Sequence, residues 1–190
     1  MVELYWLPLG AGGHSVRYNG RVYEALVAAR TRRPRRDLYH SALMVTVPGG
    51  RYVIESAPIP DSDGAARGVV LEGPVGSRLL RRWRLFRYEV RCWRGGEIPD
   101  LAEAVDSPQL LTAERERAER LLALVRELPR AVWGRDELRA GEMWNSNSIV
   151  AWLLVAAGID PALARLPANG RAPGWDAGVA LARRRAGSTS

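Results

Sequence analysis

The chain has 190 residues, a net charge of +7, 47% apolar and 26% charged residues, the size and balance of one globular domain with a sizeable core. No apolar run reaches the roughly 18 residues of a membrane span, and MVELYWLPLGAGG has an early acid and too short an apolar run for a secretory leader. A single cytoplasmic domain over residues 1–190, with no transmembrane segment, is the expectation. One cysteine, Cys92, excludes an intrachain disulfide and a cysteine-based zinc cluster, and no metal or cofactor is expected. All 28 basic residues are Arg and none is Lys. That bias fits codon composition as well as phosphate binding, so the charge alone does not call for a nucleic-acid partner.

In chain order, VELYWLPL alternates as a strand does, and Asn19-Gly20 joins two β-rich arms as a hairpin turn would. TRRPRRDL reads as a solvated basic loop. YHSALMVTVPGGRYVIESAP reads as two strands joined at Pro48-Gly49-Gly50, with Tyr39 and His40 heading the first and Glu55 near the end of the second. Residues 57–82, rich in Pro, Gly, Asp and Arg, read as a long loop whose EGPVGSRLL segment comes near the site. RLFRYEVRCW returns to strand character and ends at Arg94-Gly95-Gly96. LTAERERAERLLALVREL is an amphipathic helix with Thr112 as N-cap and apolar residues at Leu121, Leu122, Leu124, Val125 and Leu128. SIVAWLLVAAG is an apolar helix ending at Gly158, and APGWDAGVALARRR is a short final helix or strand.

Strands followed by helices imply α+β. The helix from Ile149 to Ala157, apolar all round, must be buried against the sheet. Its N-terminus, MWNSNSIV, gathers backbone N–H groups and the positive end of the helix dipole beside small polar side chains. Ser146 there, His40 on one strand and Glu55 on the next supply nucleophile, base and orienter for acyl chemistry. The same residues serve equally as a helix cap, a strand histidine and a surface carboxylate. Trp144, Trp152 and Trp175 are expected in the core or lining a groove, and Cys92 as a small buried apolar residue.

YHSALMV, YVIESAP and NSNSIV resemble the circularly permuted papain-like hydrolases and acyltransferases, the lecithin:retinol acyltransferase-like and YiiX-like proteins. In those, a histidine heads a strand, a polar residue follows on the next, and a cysteine opens a much later helix. The resemblance covers residues 38–57 and 143–157. It implies an antiparallel sheet packed on a buried helix in the C-terminal half, with His40 as base, Glu55 as its polar partner and Ser146 in the nucleophile's place. Asn145, Tyr39 and Trp144 fall where substrate would bind. Serine replaces the family's cysteine, and a serine cannot ionise beforehand as a thiol does. It needs a closely placed base and an oxyanion hole. Three readings stay open: a Ser-His-Glu hydrolase or acyltransferase acting on an acyl, peptide or lipid substrate, a catalytically silent papain-like binding module, and a polyanion binder using Arg32 to Arg36 and Arg78 to Arg84.

Overall fold

The computed structural model describes residues 1–9, 32, 34, 36–58 and 68–187. The expected hairpin at Asn19-Gly20, His14, and Arg33 and Arg35 of the basic loop lie outside the described residues. The described chain is α+β. Seven strands, β1 (Val2–Pro8), β2 (Asp37–Val47), β3 (Gly50–Pro58), β4 (Val69–Pro74), β5 (Arg87–Arg94), β6 (Val105–Thr112) and the short β7 (Gly170–Arg171), form one sheet in the order β4-β5-β3-β2-β1-β6. All neighbours on that path are antiparallel, and β7 joins the first residues of β2 in parallel.

The PGG turn works as the sequence implies. Val47 pairs with Gly50, leaving Pro48-Gly49 as the loop, and Gly50 sits at φ +129, a conformation that favours glycine. Because side chains alternate along a strand, β1 and β2 each bury both faces. Val2, Leu4, Trp6, Tyr39, Leu43 and Val45 face the helices, whereas Tyr5, Leu7, Ala42 and Met44 pack with Val53 and Ile98 on the far side.

Three helices lie on the near side: α1 (Arg115–Leu124), α2 (Ser146–Ala156) and α3 (Trp175–Gly187). α2 buries every residue from Ser146 to Leu154 and packs on β2 and β3, flanked by α1 and α3. Its end is as expected, with Ala157 as C-cap and Gly158 beyond it in the left-handed region at φ +79. α3 comes close because residue 178 is glycine: a Cβ there would stand 2.2 Å from the Ser148 carbonyl oxygen and 2.9 Å from Ala151 Cβ.

Three expectations are corrected. Residues 57–82 are not loop throughout, since β4 occupies Val69–Pro74 at the sheet edge and a 3-10 turn occupies Arg78–Arg82. Val105–Thr112 is edge strand β6, although residues 105–110 suggest no element and Leu111-Thr112 open the expected helix segment. Its pairing to β1 is irregular, and the Ser107 hydroxyl takes the Trp6 N–H at 2.9 Å, so no clean alternation marks it. Thr112 therefore ends a strand and does not cap α1. The cap position is Glu114, whose N–H donates to Thr112 Oγ1 at 3.1 Å.

Candidate functional site

The polar start of α2 forms a closed hydrogen-bond set. Asn145 is the N-cap: its Oδ1 accepts from the N–H groups of Asn147 at 3.0 Å and Ser148 at 3.2 Å, while Ser148 Oγ accepts from the Asn145 N–H at 2.8 Å. This is a reciprocal capping box. Ser148 Oγ also donates to the Met143 carbonyl at 3.0 Å, and Asn145 Nδ2 donates to the Pro173 carbonyl at 2.8 Å. Gly174 is required beside the cap, because a Cβ would fall 2.6 Å from Asn145 Oδ1.

Asn147 ties this turn to the sheet. Its Nδ2 donates to the Tyr39 carbonyl at 2.9 Å and to the Pro173 carbonyl at 3.0 Å, and its Oδ1 accepts from Ser41 Oγ at 2.9 Å. The sheet explains why. Leu38 accepts from Leu9 on the β1 side, so the Tyr39 carbonyl points to the other side of β2. There the β3 register ends at Leu43↔Ile54, while β7 reaches only Asp37 and Leu38. Asn147 fills that gap and satisfies a carbonyl that no strand reaches.

Ser146 is the first residue of α2 and buried, and its hydroxyl makes no hydrogen bond among the described residues. His40 does not face it. Ser41, one residue on, points at α2 through Asn147, and His40 pairs with Leu7 of the far-side cluster, so alternation directs the imidazole to the opposite face of the sheet. Glu55, between the near-side Ile54 and Ser56, shares that far face. His40 and Glu55 are thus on one side of the sheet and Ser146 is on the other.

The far face carries further buried charge. Glu55 is opposite Arg91 on β5, and Arg91 donates to Glu89 Oε2 from Nε at 3.1 Å and Nη2 at 2.9 Å. All three are buried. Half-buried His40 is pushed down to about 4 by burial, against an upward pull from the Asp100 carboxylate.

The residues expected to bind substrate are committed to structure. Tyr39 and Trp144 are buried, and the Asn145 amide is spent on the cap and on Pro173. Trp144 bridges to Trp133, which bridges in turn to Val75, so EGPVGSRLL does come near the start of α2. The Tyr88 hydroxyl donates to the Ala131 carbonyl at 3.0 Å in this layer, and its ring lies 5.1 Å from Trp133. Burial pushes its ionisation up to about 12. Trp152 is core and Trp175 stacks at a tilt on Trp6 at 5.3 Å. Cys92 is half-buried, and burial pushes its thiol up to about 11, away from thiolate chemistry.

One surface feature was visible in the sequence only as charge. Between β4 and β5 the segment SRLLRRWRLFR, residues 77–87, buries none of its 3-10 residues. It exposes Leu79 at 87%, Trp83 at 57% and Leu85 at 64% of their surface. Set beside known proteins, the chain matches no family model, no curated protein and no solved structure.

Proposed function

We propose that this chain is a non-catalytic binding module built on a permuted papain-like arrangement. The papain-like part is supported by the order of histidine strand, acid strand and late buried helix, and by the direct seating of that helix's first turn on the histidine strand through Asn147, Tyr39 and Ser41. The non-catalytic part rests on one observation: the sheet separates His40 from Ser146. A serine nucleophile must pass its proton to a base within hydrogen-bond reach during attack. The helix–strand contact that such a pair would make is made instead by Ser41 and Asn147, neither of which is a base. The polar atoms of Asn145, Asn147 and Ser148 are already paired with one another and with backbone carbonyls, so partner binding is expected away from the helix start.

A hydrolase would need its base from elsewhere, and His14 is the other histidine of the chain. The test is labelling of the whole chain with a fluorophosphonate probe, followed by mapping of the modified residue. No label on Ser146 is expected. Label on Ser146 that disappears in Ser146→Ala and in either His14→Ala or His40→Ala would overturn the reading in favour of the serine enzyme.

A further inference from the structure

The segment 77–87 has the composition of an interfacial anchor and the scaffold of a built element. Five of its residues are Arg and none is acidic. Its backbone is stitched from beneath. Arg87 Nε donates to the Arg81 carbonyl at 2.8 Å and Nη2 to the Arg82 carbonyl at 3.4 Å. Val75 takes the Phe86 carbonyl at 2.8 Å, Arg135 Nε takes the Gly76 carbonyl at 3.0 Å, and Arg78 pairs with Glu137. Two successive 3-10 turns, Arg78–Arg82 and Arg84–Phe86, are thereby fixed with Leu79, Trp83 and Leu85 outward. Arg81 and Arg82 form no ion pair among the described residues. Large aliphatic side chains so fully in water are unfavourable for a surface with no use for them.

We infer that this ridge docks the protein on an anionic phospholipid surface, with Leu79, Trp83 and Leu85 entering the headgroup boundary and Arg81 and Arg82 pairing with lipid phosphates. The chemistry selects that partner. Aliphatic and indole side chains interleaved with cations suit the bilayer interface, where Trp sits at headgroup level and basic residues gain from the negative surface potential. Single-stranded nucleic acid would use the arginines and Trp83, but Leu79 and Leu85 offer bases neither stacking nor hydrogen bonds. A two-fold contact between copies through this patch would set Arg81 and Arg82 of one copy against the same cations of the other. The ridge uses none of His40, Glu55 and Ser146, and the inference stands whether or not Ser146 is silent, so the labelling result and the docking result can fail separately.

The experiment is vesicle flotation of the full chain at low and at near-physiological salt. It compares phosphatidylcholine vesicles with vesicles half phosphatidylglycerol, and uses Leu79→Ser/Leu85→Ser and Arg81→Gln/Arg82→Gln. All four positions are solvent-facing, and unchanged thermal unfolding verifies the fold. Binding to the anionic vesicles alone is expected. It should weaken by about thirtyfold in the Arg pair, from the contribution of two basic residues near a charged surface, and by tenfold or more in the Leu pair, whose charge is unaltered. The inference is overturned by absence of vesicle binding. It is also overturned by binding indifferent to the Leu pair, by tighter binding to an unstructured oligonucleotide than to the vesicles, or by self-association of the chain in sedimentation that the Leu pair abolishes.

Discussion

Replacing Asn147 by alanine tests the account of the polar helix start most directly. The side chain is 2% exposed and serves three partners. The Pro173 carbonyl would keep the Asn145 Nδ2 donor at 2.8 Å. The Tyr39 carbonyl would lose the donor that compensates for the gap between β3 and β7, and the Ser41 hydroxyl would lose its acceptor. Each buried polar group left without a partner costs about 1–3 kcal/mol, so two such groups predict a loss of roughly 2–6 kcal/mol. For a chain of this length that corresponds to a fall in Tm of about 4–24 °C. Urea unfolding measures the loss at constant m-value. Repeating it in a Ser41→Ala background should reveal a coupling of about 0.5–1.5 kcal/mol, because one partner of the pair is then already gone. A loss below about 1 kcal/mol for Asn147→Ala, with no coupling to Ser41, would refute the claim that this side chain stitches α2 to the sheet.

Two other predictions separate neighbouring roles. Asn145→Ala removes the capping box and should cost about 1–2 kcal/mol, whereas Ser146→Ala should leave stability within about 0.5 kcal/mol, since the hydroxyl has no partner among the described residues; equal losses in chemical denaturation would contradict the assignment of the cap. His40, held down to about 4 where a free imidazole titrates near 6.5, stays neutral in the fold at a pH where the unfolded chain has taken up a proton. Its contribution to stability is therefore full above about 6.5 and is lost progressively as pH falls toward about 4. His40→Gln should flatten the stability profile across that window, and an NMR titration midpoint of His40 near 6.5 would sink the argument.

Much of the fold was legible because its signals are local. The β2–β3 hairpin follows from alternating apolar residues around Pro-Gly-Gly, and α2 from an apolar run bounded by Asn145 and Gly158. β4 and β6 were not legible. They are edge strands, one inside a Gly- and Pro-rich stretch and the other carrying Pro108 and an irregular register. Edge strands are specified mainly by the neighbour they pair with. The cap on α1 was misplaced because Thr112 looks the same as a capping residue and as the last residue of a strand.

The candidate site shows where sequence stops. The sequence by itself determined which groups are available: two histidines, one cysteine, a buried polar helix start and an arginine-rich segment. It also determined that α2 must be buried, because a helix apolar all round has no face for water. Which face of β2 each residue occupies was left to the tertiary structure. A strand alternates sides at every step, so a one-residue difference decides whether His40 or Ser41 meets the helix. Both faces of β2 are apolar enough to be buried, and the residue pattern therefore does not reveal which one α2 covers. The packing of α2 through Asn147 on Ser41 and Tyr39 made that choice. It turned the NSNS cluster into a cap and a stitch, and sent the imidazole to the opposite side of the sheet.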